Sequence, residues 1–419
     1  MPAESTPLAA LAAGLGDGPA LLAQLGGPFR RAIRLHPRRG GPSGWAALAP
    51  VPWHAAGRFT AADADPGGYL DHHTGAVYAQ DAASQLPVVL LDPCPGETVV
   101  DTCAAPGSKS SQIGLALGDA GLLVCCDASP PRRRILAENL ARQGIAAAVV
   151  TPMPVHVLAD RHPGCADKVL VDAPCSGQQE RSARQLARMA ARQTELLATA
   201  SRLVRPGGRL VYSTCTPYLE EDEEVIAAFL ARHPGWAVVP SALPGCDGDL
   251  RGGGGLRLWP QRQLTEPFFA CLLAAPDDQA AGAPLAGKLP SASCELGRWL
   301  PSGGLHCWRR GGAVFIGTPA VATCALPSEA RGLILGHGEG DRFRLEPWGA
   351  QALIERGAAT TRVSHQDGVR LWAGDALGIE AETGALVATH SGAPLGMLTG
   401  PAGAFRLDLP SRLRRPTLR

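Results

Sequence analysis

Two cysteines forty residues apart have the settings of chemically active groups. Cys175 stands in Asp172-Ala-Pro-Cys-Ser-Gly177 and Cys215 in Ser213-Thr-Cys-Thr216, each directly after an apolar run. Such runs predict strands, and in a doubly wound sheet ligands bind at the carboxyl ends of the strands. Two thiols at such ends, with an aspartate three residues before one of them, predict covalent chemistry.

One reaction that needs such a set is methylation of cytosine at C5. A thiolate that adds to C6 makes C5 reactive towards a methyl donor, an acid beside N3 takes up developing charge, and a base then removes the C5 proton. Asp172, Cys175 and Cys215 could supply these groups, and the residues alone leave open which thiol attacks. Most free cysteines are instead buried apolar residues. We expect that role for Cys94, Cys103, Cys125, Cys126, Cys165, Cys246, Cys271, Cys294, Cys307 and Cys324.

A loop of small residues follows the first predicted strand of the sheet. It runs through Cys103, Ala104, Ala105, Pro106, Gly107, Ser108 and Lys109 into a predicted helix. Its backbone can approach a ligand closely, and N–H groups at a helix start favour anionic or carboxylate groups. The pattern is neither a P-loop nor GxGxxG. Asp127 ends the second predicted strand, where an acid either binds ribose hydroxyls or serves the next helix. Together these features predict an S-adenosylmethionine site.

The elements that must position these residues alternate between strand and helix from about residue 85 to 275. This rhythm predicts an α/β fold with a mostly parallel, doubly wound sheet that is covered on both faces. The predicted strands are 97–101, 122–127, 146–150, 168–172, 209–213 and 268–273. The predicted helices are 130–143, 220–230, one after Gly107 and one that ends near Leu203. Arg205-Pro-Gly-Gly208 is predicted to turn the chain into the fifth strand.

Composition divides the chain into four regions. They are residues 1–70, the core region 71–275, a linker at 276–292 rich in Ala, Gly and Pro, and a small β-rich region at 293–419. Strands are predicted in the last region at 313–316, 332–335, 342–345, 386–389 and 405–409.

Charge and cysteine usage exclude several classes of protein. The 419 residues are 45% hydrophobic and carry a net charge of +1, so no global charge points to a partner. Twelve cysteines without a CxxC pair argue against zinc or iron–sulfur ligation, and no metal is expected. Free thiols without a signal peptide predict a reducing cytoplasm. No apolar run is long enough to span a membrane, so we expect a soluble protein.

Arginines supply three candidate contacts with RNA. Arg181, Arg184, Arg188 and Arg192 recur at spacings of three and four after the first thiol motif, which places them on one helical face. A solvated face is the alternative interpretation. The other two candidates are a stretch with Arg30, Arg31, Arg34, Arg38 and Arg39, and a tail with Arg412, Arg414, Arg415 and Arg419.

The ordered motifs resemble the Nol–Nop–Sun family of RNA cytosine-5 methyltransferases over about residues 70–275. The matching motifs are Asp101-Thr-Cys-Ala-Ala-Pro-Gly-Ser-Lys109, Asp172-Ala-Pro-Cys-Ser-Gly177, Arg205-Pro-Gly-Gly208 and Ser213-Thr-Cys-Thr216. The resemblance implies a Rossmann-like methyltransferase core at 71–275 that uses S-adenosylmethionine. It implies that Cys215 attacks C6, that Cys175 assists release, and that Asp172 holds the cytosine edge. The loop 103–109, Asp127 and Asp172 would bind the cofactor.

Looser matches, before, late in and after the core, resemble bacterial members that modify small-subunit ribosomal RNA. They are Arg31-Ala-Ile-Arg-Leu35, Gly255-Leu-Arg-Leu-Trp-Pro260 and Ser391-Gly-Ala-Pro-Leu-Gly396. They imply 16S ribosomal RNA as the partner, naked or in the assembled 30S subunit. They also imply an N-terminal RNA-binding region at 1–70 and a PUA-like RNA-binding domain at 293–419. A transfer-RNA methyltransferase and a non-catalytic ribosome-assembly or RNA-binding factor remain alternatives.

Three positions depart from the family pattern. Met153 stands near the place of an aspartate that contacts the adenine side, Gln179 replaces a glycine, and Gln261 replaces a histidine. We expect these departures to weaken cofactor affinity or alter substrate choice.

Overall fold

The computed structural model describes most of the chain. The described residues are 6–39, 44–279, 282, 285–287, 304–338, 344–389, 391–401, 404–409 and 413–414. Most of the predicted linker at 276–292 lies outside them, as do Cys294, Arg412, Arg415 and Arg419. Within these ranges no helix is both long and apolar enough to cross a membrane.

The N-terminal part forms a small antiparallel sheet with the strand order β2-β3-β1-β4. Its elements are α1 (Pro7–Ala13), α2 (Gly18–Gln24), β1 (Ala32–Leu35), β2 (Pro50–Val51), β3 (His54–Phe59), a 3-10 turn (Pro66–Gly68), α3 (Leu70–His73) and β4 (Val77–Ala79). Phe59 and Trp53 of this sheet share a buried cluster with Leu86 of the following helix. The sheet is therefore fixed against the core that follows it.

The core is a large sheet with helices on both faces. Its elements are α4 (Ala82–Leu91), β5 (Thr98–Asp101), α5 (Ser108–Leu117), β6 (Leu122–Cys126), α6 (Pro130–Arg142), β7 (Ala148–Thr151), α7 (Val155–Arg161), β8 (Ala166–Asp172), α8 (Ala183–Ser201), β9 (Val204–Thr214), a 3-10 turn (Leu219–Glu221), α9 (Glu223–Arg232), β10 (Ala237–Val238), β11 (Asp247–Gly248), β12 (Leu256–Leu258), α10 (Pro260–Gln263) and β13 (Phe268–Ala274).

The centre of this sheet is parallel, which confirms the predicted doubly wound α/β fold. Strands β9-β8-β5-β6-β7 pair in that order and all four pairings are parallel, while β13 joins β9 antiparallel. Successive side chains of a strand point to opposite faces of the sheet, and helices cover both faces, so the central strands are buried on both sides. Val99 and Leu170 enter one core cluster, whereas Val100 and Val169 enter the other.

The Arg-Pro-Gly-Gly segment differs from its prediction. The strand begins at Val204, before the segment, and not at Arg209. Val204 pairs with Ala166 and Arg209 pairs with Lys168, so the intervening residues form an irregularity inside β9. Gly207 has a φ of +64°, a conformation that glycine adopts without a steric penalty. The segment is therefore an irregularity within β9, and pairing with β8 continues on both sides of it.

The C-terminal part contains two further four-stranded sheets. Its elements are β14 (His306–Arg310), β15 (Ala313–Gly317), α11 (Pro319–Thr323), β16 (Ala330–Arg331), β17 (Leu333–His337), β18 (Arg344–Leu345), α12 (Pro347–Glu355), β19 (Thr361–Val363), α13 (His365–Ala373), β20 (Leu386–Thr389), β21 (Pro394–Thr399) and β22 (Arg406–Leu407). The strand orders are β14-β15-β17-β18 and β19-β20-β21-β22. Strands near the predicted positions are present, and the three helices were not predicted. The short strand β16 pairs with β7 at the edge of the core sheet.

The prediction that the whole N-terminal basic stretch faces RNA is wrong for Arg34 and Arg39, which are 2% and 4% exposed. Arg34 lies on β1, a central strand of its sheet, and donates to Ser111 Oγ at 2.8 Å. Arg39 forms a buried ion pair with Glu355 of α12. These guanidinium groups connect the N-terminal part of the chain with α5 and α12. Arg30 and Arg31 do line an open cavity of about 720 Å³.

Candidate active site

The predicted catalytic residues lie at the carboxyl ends of neighbouring strands. Asp172 ends β8, Cys175 lies in the loop after it, and Cys215 directly follows β9. Asp101, the first residue of the motif that contains the loop of small residues, ends the adjacent β5. The chain proceeds from β5 to β6 and β7 on one side, while β8 and β9 lie on the other side. This edge is therefore the switch point of the sheet, where open α/β sheets bind their ligands.

The two thiols are in direct contact, with Cys175 Sγ 3.2 Å from Cys215 Sγ. The pairing of β8 with β9 explains this approach, because Asp172 and Ser213 are opposite each other in the parallel register. Thr216 Oγ1 also donates to the Gly177 carbonyl oxygen at 3.0 Å and joins the two loops. Both cysteines are half-buried, so a substrate can reach them.

The contact makes the two sulfur atoms chemically different. The hydrogen bond from Cys175 lowers the pKa of Cys215, against the opposing effects of burial and the Asp172 charge, while the Lys109 cation contributes in the same direction as the hydrogen bond. The same bond raises the pKa of Cys175, and burial raises it further. The arrangement therefore favours a thiolate on Cys215 that accepts the Cys175 S–H. A thiolate is the nucleophilic form of cysteine.

Asp172 is held in place by two donors beside the thiols. Lys109 Nζ lies 2.8 Å from its Oδ2, and Ser213 Oγ donates to its Oδ1 at 2.8 Å. Burial lowers the pKa of Lys109, but the Asp172 charge and hydrogen bond outweigh this effect, and the net pKa is raised. Lys109 was expected as part of the cofactor loop, and its ammonium group also donates to Ser84 Oγ at 3.1 Å. The carboxylate is thereby fixed and remains 28% exposed.

The loop of small residues lies beside the second acid. Gly107 precedes α5 with a φ of +110°, and a Cβ there would meet Leu136 Cδ1 at 3.0 Å, so the loop packs tightly on α6. Asp127 accepts hydrogen bonds from the Ala105 N–H at 3.3 Å and the Ser129 N–H at 2.9 Å. Arg132 Nη1 also lies 3.4 Å from Oδ2, so the acceptor capacity that remains for a hydroxyl is on Oδ1.

A cavity of about 180 Å³ connects the first thiol with the predicted arginine face. Its lining consists of Cys175, Ser176, Arg181, Gln185, Arg188, Met189 and Arg192. Arg181 precedes α8 and donates to Gln179 Oε1 at 2.7 Å. Arg188 and Arg192 are exposed and form no ion pair within the described part of the chain. Arg184 is exposed on the same helix but does not line the cavity.

The packing role expected for the other cysteines is confirmed for most of them. Cys125, Cys126, Cys271, Cys307 and Cys324 are buried, and Cys103, Cys165 and Cys246 are half-buried. Burial also raises the pKa of Cys103 to about 12, so this thiol is not a nucleophile near neutral pH. The expectation is wrong for Cys94, which is exposed because it stands in the turn between α4 and β5.

Two of the departures from the family pattern have clear structural settings. Met153 follows β7, is 8% exposed, and packs in the core cluster that contains Val124. Its thioether offers van der Waals contact and no carboxylate acceptor. The carbonyl oxygen of Gln179 accepts from Tyr218 Oη at 3.0 Å, which fixes the loop after Cys175.

A layer of buried polar residues behind the thiols was not predicted from the sequence. Arg257 is fully buried and pairs with Asp222 and Glu223, and Thr214, the neighbour of Cys215, donates to Asp222. The preceding residue, Glu221, is also fully buried. The acidic run 220–224 could have indicated this layer. Acidic side chains at a buried helix start need hydrogen-bond or ion-pair partners from elsewhere in the fold.

Comparison with known protein families identifies one match. The family described as 16S rRNA methyltransferase RsmB/F matches residues 88–274. This range contains β5 to β13, both thiol motifs and the loop of small residues.

Individual relatives agree with this match. The Ribosomal RNA small subunit methyltransferase F of Klebsiella pneumoniae (strain 342) is 35% identical over 295 residues, which cover 63% of this chain and 61% of that protein. The protein of the same name from Escherichia coli O139:H28 is 31% identical over 328 residues, 68% of each chain. The chain thus spans about three fifths to two thirds of the length of these relatives.

A solved structure is also similar. The methyltransferase homolog protein from Pyrococcus horikoshii is 26% identical, with a TM-score of 0.56, over 62% of this chain and 91% of that one. The similarity extends over most of that protein.

Proposed function

Because the chain belongs to the 16S rRNA methyltransferase RsmB/F family, we propose that it transfers a methyl group from S-adenosylmethionine to C5 of a cytosine in RNA. One observation carries this proposal. The thiols of Cys175 and Cys215 lie 3.2 Å apart beside the Lys109–Asp172 ion pair, at the switch point of the sheet. A transfer to nitrogen or oxygen needs no such pair of thiols.

The residues around the small loop fit S-adenosylmethionine. Ala104, Ala105 and Gly107 are small and buried, Cys103 and Ser108 remain partly exposed beside them, and Asp127 retains acceptor capacity on Oδ1 for ribose hydroxyls. Met153 supplies an apolar contact near the position where the family resemblance implies an aspartate. When bound, S-adenosylmethionine supplies an electrophilic methyl group. The loop and Asp127 would hold it at the end of β5, beside Asp172 on the adjacent β8.

Addition to the base is the first step that these residues perform. The Cys215 thiolate forms a bond to C6 of cytosine, and the π electrons of C5–C6 move towards C5 and the N3 side of the ring. N3 takes up a proton from solvent, and Asp172 accepts hydrogen bonds from the exocyclic amine and from the resulting N3–H. Lys109 orients the carboxylate through its contact with Oδ2 at 2.8 Å. C5 becomes nucleophilic as a result and would take the methyl group, whose bond to the donor sulfur would break with both electrons left on that sulfur.

Release of the product needs a base near C5. Once Cys215 is a thioether, Cys175 no longer donates to a thiolate, and the main cause of its raised pKa is gone. Cys175 then loses its proton to solvent and removes the C5 proton. The electrons of the C5–H bond re-form the C5–C6 double bond, the C6–S bond breaks, and Cys215 leaves as a thiolate. N3 returns its proton to solvent, and the net change is one methyl group gained by C5, one C5 proton released and S-adenosylhomocysteine as the second product.

RNA would reach the thiols along the cavity that Arg188 and Arg192 line. Their guanidinium groups are exposed without ion pairs in the described ranges, and such groups bind phosphates well. The target base must leave its stack to reach Cys215. The names of the relatives support a small-subunit ribosomal RNA as the substrate. The cytoplasm is the proposed location, because free thiols persist in a reducing compartment. Naked 16S RNA and the assembled 30S subunit are the two forms to compare.

The proposal is tested with purified protein and labelled S-adenosylmethionine. Small subunits, naked small-subunit RNA and bulk transfer RNA are offered in parallel, and the digested nucleosides are identified by mass. Label in 5-methylcytidine from a ribosomal substrate is the expected result. Label in 5-methylcytidine from transfer RNA alone would support the proposed reaction and refute ribosomal RNA as the substrate. No label and no cofactor binding would favour a non-catalytic RNA-binding or assembly factor.

Two cysteine variants test the roles of the thiols. Cys215→Ala should abolish methyl transfer, and retained activity would refute the covalent mechanism. Cys175→Ala should accumulate a covalent protein–RNA adduct, visible as a protease-sensitive shifted band on a denaturing gel. A folded Cys175→Ala protein without this band would refute the proposed role in release.

A further inference from the structure

The loop that carries Cys175 is anchored on both sides of the cysteine by the same two buried side chains. Before the cysteine, the Pro174 carbonyl oxygen accepts from Gln193 Nε2 at 2.9 Å. After it, the Ser176 N–H donates to Glu221 Oε2 at 3.0 Å. Gln193 Nε2 also donates to Glu221 Oε2 at 2.8 Å. Cys175 is thus bracketed by a connected pair of side chains.

The Glu221–Gln193 pair is also connected to the strand that leads to Cys215. Glu221 ends the 3-10 turn after β9, and its carbonyl oxygen accepts from Tyr212 Oη at 2.6 Å. Tyr212 is fully buried in β9, the strand that leads to Cys215. The position of Cys175 is therefore set relative to the strand that positions Cys215.

The pair is costly to keep in the fold. Glu221 is 0% exposed and Gln193 1% exposed, and Glu221 has no ion-pair partner within the described part of the chain. One side-chain oxygen of each, Oε1 of Glu221 and of Gln193, has no hydrogen-bond partner there. A buried carboxylate without a cation is destabilising. Packing alone would favour apolar residues at both positions.

Gln193 also connects the loop with the arginine face. It follows Arg192 directly on α8, with its side chain buried while Arg188 and Arg192 are exposed in the cavity beside Cys175. One helix therefore carries both the side chain that holds the Cys175 loop and the cations proposed to hold the RNA backbone.

We propose that Glu221 and Gln193 are positioning residues for product release, which hold Cys175 within reach of the C5 proton of the covalent adduct. The inference rests on the proposed function. Neither residue touches the substrate. Loss of either hydrogen bond frees the loop, and a displacement of about 1 Å lowers a reaction rate by up to about 100-fold.

The test compares four variants of the full-length protein with labelled cofactor and RNA substrate. Glu221→Ala removes the acceptor, Gln193→Met removes the donor at similar volume, and Glu221→Gln keeps an acceptor oxygen for Ser176. Glu220→Ala is the matched control, because Glu220 is the adjacent, half-buried glutamate outside the pair.

We expect Glu221→Ala and Gln193→Met to accumulate the covalent adduct as Cys175→Ala does. Their kcat should fall by about 10- to 100-fold while KM for RNA stays unchanged. Glu221→Gln should restore most of the turnover, and Glu220→Ala should behave as the unchanged protein. A folded Gln193→Met or Glu221→Ala variant with normal turnover and no adduct would overturn the proposal, as would a joint loss of adduct formation and turnover. If Glu221→Ala does not fold, Gln193→Met decides.

A second measurement separates this inference from the proposed chemistry. Phenylarsine oxide bridges two neighbouring thiols, and its binding needs no RNA. The unchanged protein should bind it through Cys175 and Cys215, Cys175→Ala should not, and Gln193→Met should bind at least about 10-fold more weakly if the loop is released. Normal binding by Gln193→Met would overturn the positioning role. Weakened binding together with no adduct in Cys175→Ala would instead refute the release chemistry and leave the positioning role supported.

Discussion

Replacement of Glu355 by alanine should destabilise the protein far more than loss of an exposed ion pair. The Glu355 carboxylate is buried on α12 and lies 2.8 Å from Arg39 Nε, 2.8 Å from Arg39 Nη2 and 2.7 Å from Arg38 Nη2. The side chains of Glu355 and Arg39 are both 0% exposed. The variant therefore leaves a buried guanidinium without its counter-ion.

The structure gives the size of the effect. One charge-assisted hydrogen bond from Arg39 Nε is lost, of about 1.5–3 kcal/mol, together with the close ion-pair contact of Arg39 Nη2. Breaking a buried pair from one side costs about 3–5 kcal/mol. We expect the free energy of unfolding to fall by about 3–5 kcal/mol in equilibrium urea unfolding. Arg38 adds little, because its side chain is 36% exposed.

A matched control isolates burial as the cause. Glu224 pairs with Arg251 at 3.0 Å, but these side chains are 50% and 61% exposed, so Glu224→Ala should cost no more than about 1 kcal/mol. The double variant Arg39→Met with Glu355→Leu should recover stability relative to Glu355→Ala, because no buried charge of this pair remains. Equal losses in Glu355→Ala and Glu224→Ala would refute the argument.

Three further outcomes are expected. The rate at which iodoacetamide alkylates Cys215, measured by peptide mass, should decline as the pH falls through the lowered pKa of this thiol. In Cys175→Ala the hydrogen-bond donor is lost, so the pKa of Cys215 rises and the midpoint of the pH profile moves to higher pH. An unchanged midpoint would contradict the thiol contact. Arg188→Ala should weaken RNA binding and reduce the slope of log affinity against log salt by about 1, unlike Arg202→Ala, whose guanidinium pairs with Asp160. Asp127→Ala should raise the calorimetric Kd for S-adenosylmethionine by about tenfold or more, since a hydrogen bond to a charged group contributes about 1.5–3 kcal/mol; an unchanged Kd would remove this residue from the cofactor site.

The local sequence determined the sheet and the ends of its strands. Runs such as Val99–Val100 and Val169–Val171 are apolar at every position, and only a strand buried on both faces uses such a run. The loop after β5 and the two thiol motifs could likewise be placed at strand ends, because each follows its apolar run directly. Boundaries agreed within a few residues except at Arg205-Pro-Gly-Gly208, where pairing with β8 carried the strand past a glycine-rich segment.

Only the tertiary structure decided which groups meet. The contact of Cys175 with Cys215 requires β8 and β9 to be neighbours in register, and this order depends on how the crossover helices pack. The same holds for Lys109, which reaches across from α5 to Asp172. Arg34 and Arg39 resemble a basic surface in sequence, yet both are buried with partners that lie far away in the chain. The roles of Glu221 and Gln193 could not be predicted from the sequence for the same reason. The role of a polar residue depends on the group to which it hydrogen-bonds, and the fold decides which group that is.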